Sequence, residues 1–293
     1  MIHYFQHIPS WQRSLILAGG LVFFWALEGL IPLTRFKRSW RRHAGLNLFF
    51  TLTTIIVNFL FATLIIRTAD YCTQHHFGLL YIVHLPMWLF ILAGLLILDL
   101  ISAWLIHWLH HQIRWLWQFH LIHHSDTWVD TTTANRHHPG ESLFRAIFTL
   151  IAVAVAGSPA WLVLLYQSLS VLFSQFNHAN ISLPKWLDNT LAWVVVSPDM
   201  HKVHHHYRRP LTDSNYGNIF SCWDRLFRTF KFVKNTKGLH YGLDTHPAEE
   251  EHNNMRALLN MPFRPYRPPM DARTDTPIEH TGLTATPADR SAI

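Results

Sequence analysis

The sequence predicts an all-α integral membrane protein with about four hydrophobic spans, the last of them a hairpin, and a cytoplasmic helical cap that carries a histidine-rich di-metal site. Three observations predict this class. Only 14% of the 293 residues are charged, whereas charged residues make up about 25% of a soluble domain. Four long apolar stretches occur in the chain, and about 20 apolar residues cross a bilayer. Ten histidines, most of them at helical spacing, follow the third stretch.

The first three apolar stretches are each long enough to cross a bilayer once. They are Ser14–Leu30, Leu46–Ile66 and Met87–Ile106. The fourth, Ala146–Phe176, has 31 residues without a formal charge, which is too long for one ordinary span. Gly157-Ser158-Pro159 interrupts it near the middle. Because such a tripeptide favours a turn, we expect a helical hairpin that enters and leaves on the same side, or else two short spans.

A basic loop between the first two spans predicts the orientation. It contains Arg35, Lys37, Arg38, Arg41 and Arg42. The positive-inside rule places such a loop in the cytoplasm. The third span then ends on the cytoplasmic side at His107, and a hairpin keeps residues 177–260 on that side as well. All ten histidines therefore lie at one membrane face, as a shared site requires.

The histidines form three groups and two single positions. The groups are His107 and His111; His120, His123 and His124; and His201, His204 and His205. Residues three and four apart project from one face of a helix, and neutral imidazole is the commonest side-chain metal ligand. Because a mononuclear zinc site uses about four ligands, this many imidazoles indicates more than one metal ion. Imidazole suits iron, zinc, copper and nickel alike, so the spacing does not identify the metal.

The single histidines, His138 and His178, have alternative interpretations. His138 precedes Pro139 and is equally suited to capping the helix that starts near Glu141. His178 follows a hydrophobic helix and fits an interfacial histidine as well as a ligand. Spacing leaves both open. Three further histidines that neighbour the groups are predicted to point away from the shared faces, and these are His110, His137 and His206.

Six segments between Asp99 and Thr229 resemble the fatty acid hydroxylase/sterol desaturase superfamily of membrane di-iron oxygenases. These segments read HWLHH (107–111), WLWQFHLIHHS (115–125), RHHP (136–139), NHAN (177–180), MHKVHHH (200–206) and NYGNIFSCWDRLFRTF (215–230). The resemblance implies that the ten histidines bind two iron ions, which activate dioxygen and oxidise a C–H bond of a lipid. It makes His138 and His178 expected ligands. Two departures are Trp108, where arginine is common, and Arg228, where glycine is common.

The resemblance also implies partners and a division of the chain. We expect membrane spans over residues 1–98, a histidine-box catalytic domain over 99–260, and a disordered, proline-rich tail over 261–293. The substrate is expected to be a lipid from the bilayer. No G-x-G-x-x-G nucleotide fingerprint follows a strand pattern, so electrons are expected from a separate redox protein or reductase, which the basic surface would attract if that protein is acidic.

Iron held by neutral imidazoles needs nearby carboxylates that accept the second ring N–H and fix the tautomer. The candidates close to the boxes in sequence are Asp99, Asp126, Asp199 and Asp224. Asp99 lies inside a span, where an acid is a functional hypothesis by default, although pairing with an interfacial arginine or tryptophan is an equal alternative. Asp224 and Trp223 are alternatively a packing and capping unit.

Composition excludes or disfavours other classes. Cys72 and Cys222 are the only cysteines, which excludes cysteine-ligated zinc and iron–sulfur sites. No basic stripe with a nucleic-acid fold accompanies the net charge of +6, so no nucleic-acid partner is expected. A membrane zinc hydrolase needs a glutamate near the ligands, and none occurs between Glu141 and Glu249. A metal transporter usually holds its ligands at the bilayer midplane, whereas these lie at span ends. The lipid, and hydroxylation versus desaturation, stay open.

Overall fold

The computed structural model describes residues 2–35 and 40–270. These residues form helices and connections, with three isolated bridges between extended residues and no β-strand among them. The fold class is therefore confirmed as all-α. Lys37 and Arg38 of the basic loop, and residues 271–293 of the expected tail, lie outside the described residues.

Thirteen α-helices follow one another in the described chain. The first six are α1 (Ile2–Gln6), α2 (Ser10–Leu30), α3 (Trp40–His75), α4 (Met87–Asp99), α5 (Ile106–Gln112) and α6 (Arg114–His124). The others are α7 (Pro139–Ala156), α8 (Ala160–His178), α9 (Lys185–Leu191), α10 (Pro198–His204), α11 (Cys222–Leu226), α12 (Glu249–His252) and α13 (Met255–Asn260). Short 3-10 turns occur at Leu79–Tyr81, Thr131–Asn135 and Met261–Phe263.

Four helical segments are long and apolar enough to cross a membrane. They are Ser10–Leu30, Trp40–Tyr81, Met87–Gln112 and Pro139–Ala156. The predicted number of spans is confirmed, and the helices extend beyond the apolar runs that predicted them. The third segment contains a π-helical stretch, Leu100–Leu105, between α4 and α5. Such bulges occur often at functional sites, and this one lies directly before His107.

The long helices run alternately in opposite directions, so the histidine boxes meet at one end of the bundle. At this end α3 begins, where His43 Nε2 lies 2.8 Å from Asp126 Oδ1. α7 also begins there, and α8 ends there at His178. At the opposite end, the α3–α4 connection at Gly78 lies against Gly157. The three histidine groups therefore share one end of the molecule.

The fourth apolar stretch is a hairpin, as its central tripeptide predicts. α7 ends at Ala156, and Gly157 follows in a left-handed conformation with φ 76°. A Cβ on Gly157 would lie 2.1 Å from the Phe77 carbonyl oxygen, so both the conformation and the space require glycine. Because α8 then returns antiparallel to α7, His138 and His178 lie at the same end.

The predicted disordered tail begins too early. Leu258 of α13 and Met261 are buried against α6 in an apolar cluster. The Arg114 guanidinium lies 4.2 Å from the Tyr266 ring centre, and the Met270 amide donates to Asp244. Residues 261–270 thus pack against the histidine-bearing helices, because side chains such as Met261 are buried against the apolar face of α6.

Candidate metal centre

Nine of the ten predicted histidines come together in two adjacent groups. The first group contains His107, His111, His120, His124 and His204. The second group contains His123, His178, His201 and His205. In each group, the potential ligand atoms lie within 4.8 Å of one another. We call these the first group and the second group. Each could hold one metal ion, which is the arrangement expected for a di-metal site.

The two groups divide the histidine boxes between them. Histidines four apart share a group, as His120 and His124 do in the first and His201 and His205 in the second. The remaining box member crosses over, so His123 joins the second group and His204 joins the first. Adjacent residues on a helix differ in direction by about 100°. Each three-histidine box therefore contributes to both groups, although its members project from one broad face of the helix.

The first group is held by a loop that follows α10. His107 Nδ1 donates to the Tyr216 carbonyl (2.8 Å), and His204 Nδ1 donates to the Ser214 carbonyl (2.7 Å). His111 Nδ1 lies 3.1 Å from an Asp213 carboxylate oxygen. Four consecutive positions in one segment thus contain three acceptors for three rings. The NYG motif places this segment, because its asparagine is tied to two backbone carbonyls.

That asparagine has the backbone conformation the turn requires. Asn215 adopts φ 54°, a left-handed conformation that asparagine tolerates better than most residues. Its side-chain amide donates to the carbonyls of Met200 and Lys231, and its side-chain carbonyl accepts the Lys231 amide. Asp224 fixes the next two residues by accepting from the amides of Tyr216 (2.8 Å) and Gly217 (2.9 Å). Asn215 and Asp224 therefore hold the loop in place beside the first group.

The hydrogen bonds determine which ring nitrogens face the first group. His107 Nδ1 must carry a proton, because its partner is a carbonyl oxygen that only accepts. His120 Nδ1 donates likewise to the Glu141 carboxylate (2.8 Å). Both Nε2 atoms therefore present lone pairs, and they lie 3.1 Å apart. Two buried lone pairs repel each other unless a cation lies between them. Two nitrogens bound about 2.1 Å from one metal at right angles would be about 3 Å apart.

Other buried nitrogens fit a metal in the same way. The Nε2 atoms of His124, His204 and His205 are buried without a hydrogen-bond partner in the described residues. Buried polar atoms rarely lack a partner, and each exception needs an explanation. A metal ion in each group supplies it, so the residues present fit a di-metal centre. The ligand role of each histidine stays a prediction.

Burial keeps these rings in the neutral form that binds metals. All nine are at most 6% exposed. Burial lowers the pKa of His123, His124 and His201 well below the ordinary value, and their neighbours' charges lower it further. Burial also lowers the pKa of His204 to about 4. Near neutral pH the rings outside the spans therefore offer lone pairs rather than positive charges.

His138 lies outside both groups, so its ligand role stays a prediction without support from the geometry. Its Nδ1 accepts a hydrogen bond from the Gly140 amide (3.0 Å), so the ring caps α7. The ring packs beside Phe119 and Phe263. His137 comes closer, with its ring centre 5.0 Å from that of His123. Of the two open interpretations of His138, helix capping is the one that the geometry supports.

The four aspartates predicted from sequence do not accept hydrogen bonds from the box histidines in the described structure. Asp99 accepts from the Phe220 amide and Trp223 Nε1, and Asp224 accepts from the loop amides. Asp126 pairs with His43, and Asp199 pairs with Lys185 and Thr236. These aspartates are close to the histidine boxes in sequence, but their oxygens accept hydrogen bonds from other parts of the chain and so join secondary-structure elements.

Glu141 and Asp213 occupy the places expected for those aspartates. Glu141 is fully buried on the first turn of α7, where Oε1 meets His120 and accepts from Arg145 (2.9 Å). With His110 and His120 it forms a third small group of potential ligands. The spacing of Glu141 four residues after His137 was the available signal in the sequence. Its position also removes the objection that a glutamate is missing near the ligands, on which the case against a hydrolase partly depended.

Comparison with known proteins finds a family model that matches the part of the chain with the histidine boxes. Residues 91–229 match the family model described as fatty acid hydroxylase. The very-long-chain aldehyde decarbonylase GL1-11 of Oryza sativa subsp. indica is 26% identical over 159 residues, which cover 53% of this chain and 59% of the rice protein. No solved structure matches this chain significantly. The chain spans about three fifths of the length of the rice relatives it matches.

Two further relatives are named for lipid oxidation. The alkylglycerol monooxygenase of Xenopus tropicalis is 42% identical over 57 residues, covering 20% of this chain and 12% of the relative. The ornithine lipid hydroxylase OlsE of Rhizobium tropici is 28% identical over 130 residues, covering 44% and 34%. The region matched by the family model contains both histidine groups and the loop that holds them. The comparisons support the fatty acid hydroxylase superfamily for residues 91–229 of this chain.

Proposed function

We propose that this protein is a membrane-bound non-haem di-iron oxidoreductase that uses dioxygen and external electrons to hydroxylate or desaturate a C–H bond of a lipid. The observation that carries the proposal is the pair of facing Nε2 lone pairs on His107 and His120, 3.1 Å apart inside a five-histidine group beside a four-histidine group. The family and the names of the relatives support a lipid as the substrate.

Two irons, when bound, would supply the redox chemistry that activates dioxygen. The histidine rings would hold them, and Glu141 and Asp213 would offset their charge through His120 and His111. Hydroxylation requires two electrons from a donor and two from the C–H bond, so that one oxygen atom enters the lipid and the other leaves as water. In desaturation both oxygen atoms leave as water. Because the nine rings are at most 6% exposed, their burial would exclude bulk water from this reaction.

We propose that the histidine end faces the cytoplasm. Arg41 and Arg42 stand at the start of α3, at the same end as the histidines, and the positive-inside rule assigns them to the cytoplasm. Lys231, Lys234 and Lys237 lie on the same cap and would attract an acidic electron donor. Residues 1–98 are then membrane support and residues 99–260 the catalytic unit. Labelling of a cysteine introduced at Lys237 from each side of sealed vesicles tests the orientation.

The decisive experiment loads the purified protein with iron in lipid nanodiscs and supplies a chemical reductant and ¹⁸O₂. Two irons per chain and ¹⁸O in a lipid product, or an oxygen-dependent double bond, are expected. His120→Ala protein of equal thermal stability serves as the control and should bind less iron and form no product. One zinc per chain with oxygen-independent lipid hydrolysis would contradict the proposal and favour the hydrolase.

A further inference from the structure

A cleft of about 190 Å³ opens on the side of the bundle between α2, α3 and α8. We call it the lateral cleft. The apolar part of its lining is formed by Ile16, Leu17, Ile55, Leu164 and Val171. Since α2 and α3 are candidate membrane spans, this opening faces lipid. A cavity of roughly 150 Å³ accepts a benzene molecule, so the lateral cleft has room for a segment of one lipid chain.

The rim of the lateral cleft is polar. Arg13, Asn58 and Gln167 are exposed there, one on each of the three helices. The Asn58 and Gln167 side chains make no hydrogen bond within the described residues, and Arg13 Nη2 donates to Ser10 Oγ (3.1 Å). No acidic side chain lines the cleft among the described residues. A charged residue within a span is costly and marks a functional site whose partner should be named. The Arg13 guanidinium and the amides of Asn58 and Gln167, with no acid beside them, therefore fit an anionic ligand.

The deeper part of the lateral cleft leads toward the second histidine group. Asn135 and Thr54 line it, and both are half-buried. Thr54 Oγ1 lies 2.9 Å from Ser142 Oγ, on the first turn of α7. Asn135 lies two residues before His137, whose ring contacts that of His123. A chain entering past the rim therefore points toward the metal centre.

The length of α8 gives the distance from the rim of the lateral cleft to the second histidine group. Gln167 and His178 are both on α8, 11 residues apart. At about 1.5 Å per residue, the rim lies about 16 Å along the helix from the second group. A lipid held by its acid group at the rim would thus present a carbon well along its chain to the metal centre.

We propose that the lateral cleft binds a single-chain anionic lipid, with its acid group beside Arg13, Asn58 and Gln167 and its chain directed toward the second histidine group. This inference rests on the proposed function and deepens it, because it names the class of substrate and its entrance. A fatty carboxylate and an alkyl phosphate share the required chemistry. The reacting C–H bond is then remote from the acid group.

Photo-crosslinking tests the proposal without any oxidation. Three probes of equal chain length, each with a diazirine near the middle of the chain, are added to the protein in phosphatidylcholine nanodiscs: a fatty acid, an alkyl phosphate and a fatty alcohol. Mass spectrometry should find the label from at least one acidic probe on the α2, α3 and α8 peptides that line the lateral cleft. The alcohol should label them about tenfold less, which corresponds to about 1.4 kcal/mol, because it lacks the negative charge that the Arg13 guanidinium would bind.

Variants at the rim distinguish binding in the lateral cleft from nonspecific labelling of the bundle surface. Arg13→Gln should reduce labelling by the acidic probe about tenfold, and Asn58→Leu with Gln167→Leu provides a second test if Arg13→Gln folds poorly. Arg67→Gln alters an exposed arginine of α3 outside the cleft and should label normally. Equal labelling by the alcohol, or normal labelling of both rim variants, would overturn the proposal. His120→Ala protein should still be labelled, so loss of oxidation and loss of the cleft are distinguishable.

Discussion

The two histidine groups differ in how their rings are held. In the first group, His107, His120 and His204 each donate Nδ1–H to an acceptor, and one of these acceptors is a carboxylate. In the second group, only His178 does so, to the Ser174 carbonyl (2.7 Å). The Nδ1 atoms of His123, His201 and His205 lack a partner within the described residues. Hydrogen bonds therefore orient more of the rings in the first group than in the second.

This difference has a consequence for metal affinity. Partners of the second ring nitrogen orient the ligand and increase its basicity, and losing one costs about 10- to 100-fold in affinity or activity. The first group should thus bind its metal more tightly. The second group lies nearer the lateral cleft through His137 and His123, so its rings are the ones toward which a lipid bound in the cleft would extend.

The largest effect is expected from a pair of neighbouring substitutions. His204→Ala removes a ligand of the first group and His205→Ala one of the second. Each should reduce the metal content from two ions toward one and abolish oxidation, because the ion of that group would lose one of its imidazole ligands. Metal analysis and product assays measure both. His206→Ala is the matched control, since His206 belongs to neither group, and it should keep both metals. The same loss of metal in all three variants would contradict the division of the histidines into two groups.

Chelation should remove the metals in two phases. The second group, whose rings have fewer partners, should release its ion first, with an affinity about 10- to 100-fold lower for each missing partner. Metal release against chelator concentration measures this order. His205→Ala protein should show only the slow phase, and His204→Ala protein only the fast phase. A single phase with two ions per chain would mean that the groups behave as one site.

Replacing Glu141 should reduce the difference in metal affinity between the first and second groups. Glu141→Gln keeps the shape but removes the charge that faces His120 Nδ1 and Arg145. We expect the affinity of the first group to fall about 10- to 100-fold, while the fast phase of chelation stays unchanged. Glu250→Gln, at an exposed acid of α12, is the control. A change confined to the fast phase would show that Glu141 supports the second group and that its assignment to the first group is wrong.

The sequence predicted which histidines cluster better than it predicted the chemical groups that hold them. Spacing on single helices is a local property, so the eight box histidines could be selected before any fold was known, whereas His178 was selected through the resemblance. The division of His123 from His124 depends on how α6, α8 and α10 cross. The acceptor for His107 is the Tyr216 carbonyl, 109 residues away, and backbone carbonyls have no signature in sequence. Asp99 and Asp126 were chosen for proximity along the chain, but their oxygens bind elsewhere.

His138 provides a smaller test of group membership. His138→Ala removes the ring that accepts the Gly140 amide at the start of α7. Loss of such a cap costs about 0.5–2 kcal/mol of stability, and the protein should still hold two metals. Thermal unfolding and metal analysis of the same sample measure both quantities. Loss of one metal ion would instead restore His138 as a ligand.

The smallest effect concerns the turn that supports the first group. Arg228, where the resembling family commonly has glycine, adopts φ 60°, and the left-handed conformation costs a residue with a Cβ roughly 1–2 kcal/mol. The following amide, that of Thr229, donates to the carbonyl of Asp224 (2.8 Å), whose carboxylate holds the loop beneath His107. Arg228→Gly should therefore stabilise the folded protein by about 1 kcal/mol and leave both chelation phases unchanged.

A matched substitution separates relief of strain from loss of an exposed arginine. Arg256→Gly alters an exposed arginine within α13, where glycine costs about 1 kcal/mol relative to a good helix former. Unfolding monitored under identical conditions should therefore give opposite signs for the two variants. If both destabilise by the same amount, Arg228 contributes a contact that outweighs its strained backbone, and the departure from glycine would be an adaptation of this chain. If the signs are opposite, the strained turn shows that the loop beneath the first group is held in place by Asp224 and Asn215 rather than by the backbone preference of Arg228.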